Sequence, residues 1–300
     1  LYSGICGSDL HIYKKGMFIT YTPETMGHEF VGEIVETGGG EFEVGQLVVG
    51  DPRVPCLECT ACAEHAHQRC VALGFIGEVS QGCFTEYLAM PWDKLIKLDR
   101  IEKIEYGALV EPLAVAYHIC NEAGFGPDDN VVVFGCGPIG LLTIPLAKKI
   151  FGARTVTAGD IAEARLEKAR QAGAEYPVTT LDEASFKEYE KAAEGAGIGI
   201  TVQAARECQK PGGLLAMVGI FENPVTLDPN SLIGKELKVM GCNTYTRHDL
   251  ERAAEIVGAD KLDLSFVISR IIPFDQAGEA FEALTRRDKT DLKILFQPGR

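Results

Sequence analysis

The segment from Val131 to Gly140 restricts the possible folds of this chain more than any other, and it reads Val-Val-Val-Phe-Gly-Cys-Gly-Pro-Ile-Gly. Four apolar residues in a row predict a strand that is buried on both faces of a parallel sheet. Gly135, Gly137 and Gly140 have the spacing G-x-G-x-x-G, which turns the chain, lets backbone N–H groups approach a pyrophosphate and lets a helix pack near the strand. We therefore predict a helix over 139–151 whose positive end faces bound phosphates.

An acidic residue at a suitable distance makes this interpretation more specific. A second predicted strand over 154–158 is followed by Asp160, twenty residues after Gly140. At that distance a carboxylate can accept hydrogen bonds from the ribose diol of a dinucleotide, and it would repel a 2′-phosphate. The sequence therefore predicts a site for NAD rather than NADP, formed by Gly135, Gly137, Pro138, Gly140 and Asp160.

Strands and helices alternate from this segment to about residue 258, which predicts an α/β fold with a doubly wound parallel sheet. The remaining pattern predicts helices over 163–172, 182–194, 201–209 and 248–258, and strands near Val178, over 214–218 and over 237–240. Between Ile198 and Val202 the pattern is too short for a strand, a loop and a helix, so most of one sheet strand is predicted to be missing there. Pro145 lies inside the predicted helix over 139–151, where it costs about 3 kcal/mol unless the helix adapts.

The first ninety residues differ in character from this alternating region. They are rich in glycine and β-branched residues, with strand-like runs over 30–36 and 46–49, which predicts a β-rich, barrel-like domain. A helix is predicted to begin at Glu111-Pro112, because proline is favoured in the first helical turn. The tail carries a predicted helix over 276–286 and a last strand over 293–296.

Net charge and cysteine content argue against several functional classes. Forty-three acidic against 29 basic residues give a formal net charge of −14, which disfavours nucleic acid and anionic membranes as partners. No apolar run is long enough to span a bilayer and no signal peptide is recognisable, so a cytoplasmic location is predicted. Ten cysteines in such a chain favour metal ligands over disulfides.

Four of these cysteines form a compact cluster with the spacing C-x2-C-x2-C-x7-C, namely Cys56, Cys59, Cys62 and Cys70. Four thiolates can close a tetrahedral zinc site with no open position for water, so the cluster predicts a structural zinc. Iron, or disulfides in an oxidising compartment, are the alternatives. His65 and His67 lie in the same segment and are interpreted as loop residues rather than ligands.

A second group of possible metal ligands lies near the N-terminus. Cys6 stands in the run Gly4-Ile-Cys-Gly-Ser-Asp-Leu-His, and His28 is followed by Glu29. One thiolate, one imidazole and a carboxylate suit an open zinc site that keeps a position for water or substrate. The spacing alone fits a pair of core residues equally well.

Five motifs, in this order along the chain, resemble the zinc-dependent medium-chain alcohol and polyol dehydrogenases. They are Gly4-Ile-Cys-Gly-Ser-Asp, Gly27-His-Glu, the four-cysteine segment, Glu111-Pro-Leu-Ala and the glycine loop with Asp160. The run from Leu73 to Gly77 is similar to the branch of sorbitol and butanediol dehydrogenases. The resemblance implies a β-rich GroES-like catalytic domain over 1–112 and 260–300, interrupted by a Rossmann domain over 113–259.

The same resemblance implies ligands for a catalytic zinc. Cys6 and His28 would bind the ion, and either Glu29 or Glu111 would supply the remaining carboxylate. Zinc would act as a Lewis acid that makes the substrate hydroxyl easier to deprotonate.

Further roles follow from the resemblance for the proton path and the cofactor. Ser8 and His11 would form a proton relay through the nicotinamide ribose to solvent, although His11 also fits a core histidine. Contacts to the adenosine half are implied for Ile139, Asp160 and Arg165, and Arg165 equally fits a surface residue of an amphipathic helix. Contacts to the nicotinamide are implied for Val218, Gly219, Ile220, Asn243, Thr244 and Tyr245.

The implied function is hydride transfer between a secondary alcohol, as a polyol or vicinal diol, and NAD, by a homo-oligomer such as a dimer or tetramer. Two alternatives stay open at this point: a threonine-type amino-acid dehydrogenase, and an inactive scaffold that binds zinc and a dinucleotide. A scaffold has no use for a proton relay, so the joint presence of Ser8, His11 and the ligands favours an enzyme.

Overall fold

The computed structural model describes residues 1–20, 25–38, 41–179, 188–286 and 291–299. The chain forms two compact units, one of Leu1–Ala114 with Tyr245–Arg300 and one of Val115–Thr244. The segment 245–259, which the resemblance assigned to the Rossmann domain, packs with the first unit. The domain limits given above stay a prediction.

The strands of the described residues are β1 (Tyr2–Gly4), β2 (Glu29–Glu33), β3 (Leu47–Gly50), β4 (Arg53–Val54), β5 (Gly74–Phe75), β6 (Leu95–Lys97), β7 (Asn130–Phe134), β8 (Thr155–Gly159), β9 (Tyr176–Val178), β10 (Tyr189–Glu194), β11 (Gln209–Met217), β12 (Lys238–Gly241), β13 (Ile268–Ile272) and β14 (Lys293–Phe296).

The α-helices of the described residues are α1 (Gly7–Lys15), α2 (Thr60–Ala63), α3 (Val110–Glu122), α4 (Pro138–Pro145), α5 (Glu163–Ala172), α6 (Gly199–Glu207), α7 (Pro229–Lys235), α8 (Arg247–Gly258) and α9 (Ala277–Thr285). Among the described helices, none has the length and apolar character needed to cross a bilayer.

The first unit contains a six-stranded sheet in the order β13-β14-β1-β2-β3-β6. The tail strand β14 pairs antiparallel with the first strand, so that Ser3 lies opposite Phe296. On the other side of β1, Gly4 lies opposite Glu29 at the start of β2. All four residues of β14 are buried, and Phe296 joins Ile5 in the hydrophobic core. The pairing therefore brings the start of β14 close to the last residue of β1 and to the first residue of β2.

The second unit contains a parallel sheet in the order β12-β11-β10-β7-β8-β9, with β7 and β10 in the middle. Val131, Val132, Val133 and Phe134 are at most 1% exposed, as expected for a strand covered on both faces. The chain runs outward through β8 and β9 and then returns to β10 on the other side of β7. This order confirms the predicted doubly wound α/β sheet, and it places a topological switch point between β7 and β10.

The prediction of a helix over 182–194 is wrong for the described part of that range. Residues 180–187 lie outside the described residues, and Tyr189–Glu194 forms β10, which pairs with both β7 and β11. The sequence Tyr-Glu-Lys-Ala-Ala-Glu contains good helix formers, but burial in the centre of a sheet overrides that weak preference. The sheet strand predicted to be missing near Ile198 is therefore present as β10.

The helix after the glycine loop changes its hydrogen-bonding pattern at Pro145. Helix α4 ends there, and Leu146–Ile150 continues as a π-helix. Proline has no N–H to donate, so a local change in helix type accommodates it. The predicted helix over 139–151 is thus an α-helical and a π-helical segment joined at this residue.

Candidate metal and dinucleotide sites

Three of the predicted ligands of a catalytic metal lie together in the first unit. Cys6 directly precedes α1, and His28 and Glu29 stand at the start of β2, which pairs with β1. One ligand atom from each of these three residues lies within 4.8 Å of the others. His28 and Glu29 are buried, and a thiolate, an imidazole and a carboxylate are ligands that zinc accepts. The donor set therefore fits a zinc ion.

Asp9 orients this group, although the sequence interpretation gave it no role. Its Oδ2 accepts a hydrogen bond from the Cys6 N–H at 2.8 Å, and its Oδ1 lies 3.9 Å from His28 Nδ1. The other ring nitrogen, Nε2, lies 3.5 Å from the Ser8 hydroxyl. Burial opposes protonation of His28, but the charges of Asp9 and Cys6 outweigh it and raise the pKa of His28 well above its usual value. A carboxylate behind a ligating histidine fixes its ring orientation.

Glu29 forms a buried ion pair with Lys293 of the last strand. The Lys293 ammonium lies 2.7 Å from each Glu29 carboxylate oxygen and donates a further hydrogen bond to the Ile5 carbonyl at 2.9 Å. Both side chains are at most 2% exposed. Because the lysine contacts both oxygens, its positive charge compensates the negative charge of the Glu29 carboxylate. The spacing of the sequence gave no sign of this partner.

Glu111, the other carboxylate considered as a ligand, lies outside the group of three mutually close ligand atoms. It is the second residue of α3 and is buried, and this burial raises its pKa to about 7, with the charge of His28 opposing the rise. Its neighbour Tyr245 is 0% exposed, and its hydroxyl forms no hydrogen bond of good geometry. Burial raises the pKa of the Tyr245 hydroxyl well above its usual value, and the charge of Glu111 adds to the rise.

Tyr245 is held by a buried arginine that the sequence interpretation missed. The Arg53 guanidinium lies 4.5 Å from the centre of the Tyr245 ring, and its Nη1 donates to the Tyr245 carbonyl. Its Nε and Nη2 donate to the two oxygens of Asp51 at 2.8 and 2.7 Å. Tyr245 was predicted to line the nicotinamide, and the structure places it in the first unit beside Glu111.

The predicted relay residues Ser8 and His11 both lie on α1. They are three positions apart, which makes them neighbours on one helix face. The His11 ring also makes an edge contact with Phe18, with 6.3 Å between ring centres. The relay itself stays a prediction.

The four-cysteine cluster forms a second compact group of thiols. Its four sulfur atoms all lie within 4.8 Å of one another, and the cysteines are free thiols. Sulfur–sulfur distances of 3.6 Å from Cys59 and 3.9 Å from Cys56 to Cys62 are far longer than a disulfide bond. Backbone hydrogen bonds from the segments of Val71 and Cys62 lower the pKa of Cys59 to about 6, which favours the thiolate that zinc requires. The cluster fits a closed zinc site.

The glycine loop of the second unit needs two of its glycines for steric reasons. Gly135 has φ +91°, and a Cβ at Gly140 would lie 1.9 Å from the Gly135 carbonyl oxygen. A Cβ at Gly137 would meet nothing within 4 Å. Helix α4 begins next, with Pro138 in its first turn and Ile139 behind it. Open space at Gly137 is what a pyrophosphate on this loop requires.

Asp160 connects the glycine loop to the start of the next helix. Its Oδ2 accepts a hydrogen bond from the Cys136 N–H at 2.8 Å, and its Oδ1 accepts one from the Ala162 N–H at 2.9 Å. The Arg165 guanidinium lies 3.8 Å from Asp160, and its side chain is 19% exposed. Arg165 therefore faces the carboxylate rather than standing free on the helix surface.

The residues predicted to line the nicotinamide follow the strands of the same sheet. Val218, Gly219 and Ile220 come directly after β11, and Asn243 and Thr244 come after β12. In a parallel sheet these positions lie at the carboxyl ends of the strands, as the glycine loop does. Ligands bind at the carboxyl ends in open α/β sheets. Of the predicted nicotinamide contacts, Tyr245 alone belongs to the other unit.

Comparison with known proteins agrees with this geometry. Residues 1–100 match the alcohol dehydrogenase GroES-like domain, and residues 138–259 match the zinc-binding dehydrogenase domain. D-xylulose reductase A of Aspergillus niger is 32% identical in an alignment that covers 94% of this chain and 84% of the relative. The chain belongs to the zinc-binding medium-chain dehydrogenase family.

Solved structures give the same assignment for this medium-chain dehydrogenase. The 2R,3R-butanediol dehydrogenase of Bacillus subtilis is 31% identical with a TM-score of 0.90, covering 99% of this chain and 90% of its own. A putative zinc-binding dehydrogenase of Sinorhizobium meliloti, bound to NADP, is 28% identical with a TM-score of 0.91 and the same coverage. The GroES-like and Rossmann folds, the oxidoreductase class and the need for zinc and a nicotinamide dinucleotide are thereby confirmed.

The glycine loop of the dehydrogenase yields a matched pair of variants. Gly140→Ala should lower the free energy of unfolding by about 1–3 kcal/mol, because its methyl group would overlap backbone. Gly137→Ala should keep its stability but weaken NADH binding about tenfold, since the methyl group would occupy the place of a phosphate. Denaturant unfolding and NADH fluorescence titration measure the two effects. Equal loss of stability in both variants would contradict this assignment.

Removal of one thiol from the cysteine cluster tests the structural zinc. Cys59→Ser should release one zinc per chain and lower the melting temperature, because binding energy at a structural site contributes directly to folding. Cys208→Ser, which alters a buried thiol outside the cluster, is the control and should keep the full zinc content. Metal analysis and thermal unfolding provide the readouts, and an unchanged zinc content in Cys59→Ser would refute the site.

Proposed function

We propose that this dehydrogenase oxidises a secondary alcohol of a polyol or vicinal diol and passes the hydride to NAD. The observation that carries the proposal is the group formed by half-buried Cys6 with buried His28 and Glu29, and the Ser8 hydroxyl lies 3.5 Å from His28 Nε2. This arrangement joins metal ligands to a group that can accept and donate a proton. The relatives named for D-xylulose and butanediol support a substrate with adjacent hydroxyl groups.

The zinc would be held by Cys6 and His28, with Glu29 or Glu111 as the third protein group. When bound, zinc supplies a Lewis acid that lowers the pKa of a hydroxyl group on the substrate. Asp9 would keep His28 in one orientation, since its Oδ1 lies 3.9 Å from Nδ1 while the Ser8 hydroxyl lies 3.5 Å from Nε2. Lys293 compensates the charge of Glu29, so that this carboxylate need not bind the metal in order to be stable inside the unit.

The proton leaves through side chains of α1. Ser8 Oγ accepts the proton of the substrate hydroxyl and donates its own, because a hydroxyl is both donor and acceptor. His11, on the same helix face, receives it by way of the nicotinamide ribose and passes it to solvent, because an imidazole ring can both accept and donate a proton. When bound, NAD would supply the hydride acceptor, and the residues that would hold it lie at the carboxyl ends of the strands in the second unit.

Asp160 supports NAD over NADP as the cofactor. Each of its carboxylate oxygens already accepts one backbone hydrogen bond and retains a lone pair for a ribose hydroxyl. A 2′-phosphate at the same place would meet a negative charge. Arg165, whose guanidinium lies 3.8 Å from Asp160, would contact the adenosine half beside this carboxylate.

The comparisons do not favour the threonine-type dehydrogenase or the inactive scaffold. A homo-oligomeric state, as a dimer or tetramer, and a cytoplasmic location stay predictions from the sequence. A small-molecule alcohol or polyol remains the expected partner.

Turnover with a panel of alcohols tests the proposed reaction. We expect NADH formation with sorbitol, xylitol and 2,3-butanediol, lower rates with threonine and simple primary alcohols, and loss of activity with a zinc chelator. Cys6→Ser should lose activity and one zinc per chain while the protein remains folded, because the cluster at 56–70 is intact. Cys208→Ser serves as the matched thiol control. No turnover of any alcohol by the zinc-loaded enzyme would sink the proposal.

Substitution of Asp160 tests the cofactor preference. Asp160→Ala should reduce the ratio of kcat/KM for NAD to that for NADP by about tenfold or more, because it removes a ribose acceptor and a repulsive charge together. Glu163→Ala, an exposed carboxylate three residues along, is the control and should leave the ratio unchanged. An unaltered ratio in Asp160→Ala would show that another group recognises the ribose.

A further inference from the structure

Glu194 is a buried carboxylate at the centre of the dinucleotide-binding unit. It is the last residue of β10, directly beside Phe134, the last residue of β7. Its exposure is 0%. Strand order reverses between these two strands, and open α/β sheets bind their ligands in the crevice at such a point. A carboxylate buried here needs hydrogen-bond donors that hold it.

One carboxylate oxygen of Glu194 organises the turn that follows the strand. Oε1 accepts hydrogen bonds from the Ala196 N–H at 2.9 Å, the Gly197 N–H at 2.8 Å and the Thr201 hydroxyl at 2.7 Å. Thr201 belongs to α6, so the same oxygen also ties the turn to the start of that helix. The Thr201 hydroxyl also lies 2.7 Å from the Ile198 carbonyl oxygen, so its single proton is shared between two acceptors of this turn. The two backbone N–H groups and this hydroxyl together restrict the turn.

The main chain of Glu194 holds a second segment in place. Its carbonyl oxygen accepts hydrogen bonds from the Val218 N–H at 2.9 Å and the Gly219 N–H at 3.1 Å. The two segments also touch each other, since a Cβ at Gly197 would lie 2.3 Å from the Ile220 carbonyl oxygen. Residue 194 therefore connects the turn over 195–198 to the segment over 218–220 through both its side chain and its backbone.

The glycine loop packs against the same turn. A Cβ at Gly135 would lie 2.7 Å from the Ala196 nitrogen, so the loop and the turn are in close contact. The second oxygen of Glu194, Oε2, is buried without a hydrogen-bond partner among the described residues, and a Cβ at Gly219 would lie 2.8 Å from it. The carboxyl group is thus enclosed by the backbone of the segments predicted to bind the two halves of the cofactor.

We propose that Glu194 is a positioning residue for the nicotinamide half of the dinucleotide. It fixes the 195–198 turn and, through Gly197, the backbone of 218–220 against which the nicotinamide binds. The adenosine half and the phosphates depend instead on Asp160, the start of α5 and the glycine loop. That loop packs against the 195–198 turn, but its Cys136 N–H is held by Asp160, and the Glu194 carboxylate makes none of the bonds above to it. This inference rests on the proposed function, because it takes 218–220 as the nicotinamide segment.

Glu190 on the same strand provides a matched control. It also accepts a hydrogen bond from a backbone N–H, that of Asn130 at 2.8 Å, and it pairs with Lys210. It lies at the opposite end of β10 from the ligand edge. Loss of its carboxylate therefore removes a comparable backbone contact from the same strand without touching the turn or the 218–220 segment.

The experiment compares NADH with ADP-ribose, which has the adenosine half and both phosphates but no nicotinamide. In Glu194→Ala we expect the Kd for NADH to rise about tenfold or more, as loss of one to three hydrogen bonds implies, while the Kd for ADP-ribose stays within about twofold. NADH fluorescence and calorimetric titration of ADP-ribose measure these constants. Glu190→Ala should leave both ligands bound as in the wild type.

Conservative variants separate positioning from a general loss of structure. Glu194→Gln keeps a side-chain oxygen that can accept the same hydrogen bonds from the turn, so it should bind NADH nearly as the wild type does. Thr201→Val removes one donor and should weaken NADH binding less than Glu194→Ala, again without affecting ADP-ribose. If Glu194→Ala does not fold, Thr201→Val is compared with Thr201→Ser instead. The ratio of the Kd for NADH to the Kd for ADP-ribose should then rise in Thr201→Val and stay unchanged in Thr201→Ser.

The outcomes distinguish this inference from the proposed function. Equal weakening of NADH and ADP-ribose in the Glu194 and Thr201 variants, or no weakening of either, would overturn the positioning role. Failure of the wild-type enzyme to bind NADH and ADP-ribose would instead overturn the proposed function. Selective loss of NADH affinity supports both.

Discussion

The buried ion pair between Lys293 and Glu29 is the contact on which the metal-binding unit depends. A charged pair inside a protein is stable only when its hydrogen bonds are complete, and removal of one partner costs about 3–5 kcal/mol. Lys293 meets this requirement by contacting both Glu29 oxygens and the Ile5 carbonyl. The pair thereby joins the last strand, the first strand and the start of β2 at the place where Cys6 and His28 meet. Loss of this pair would leave a charge unpaired beside the proposed ligands.

The second unit depends on backbone geometry rather than on paired charges. Its glycines allow segments from neighbouring strands to approach within contact distance at one edge of the sheet. Asp160 and Glu194 then hold these segments by accepting backbone N–H groups. Each of these two carboxylates therefore fixes one group of loops at the carboxyl ends of the strands. Asp160 does so beside the predicted adenosine site, and Glu194 does so beside the predicted nicotinamide site.

The features that the sequence predicts well are those with local spacing. The glycine loop, its strand and the four cysteines lie within short segments, and each spacing is determined by the geometry of one turn or one metal site. The strand β10 escapes prediction because Ala192, Ala193 and their charged neighbours favour helix on their own, and only the flanking strands β7 and β11 decide otherwise. Pro145 is visible in the sequence, but the π-helical turn that accommodates it is not.

The partners of the metal site could not be predicted, because they come from distant parts of the chain. Arg53 packs on Tyr245 across 192 residues, and Lys293 reaches Glu29 across 264 residues. No periodicity or motif relates such positions. Only Asp9 carried a local signal, since it stands three residues after Cys6 and caps the helix that begins there.

The position of Lys293 in the last strand also has a consequence for biosynthesis. Glu29 leaves the ribosome long before Lys293 is added, and at about 5–20 residues per second the interval between them is on the order of tens of seconds. During that time the second unit can fold as a domain, whereas the first still lacks the strand that neutralises its carboxylate. The metal centre is therefore expected to assemble only after the second unit has been synthesised and Lys293 has been added.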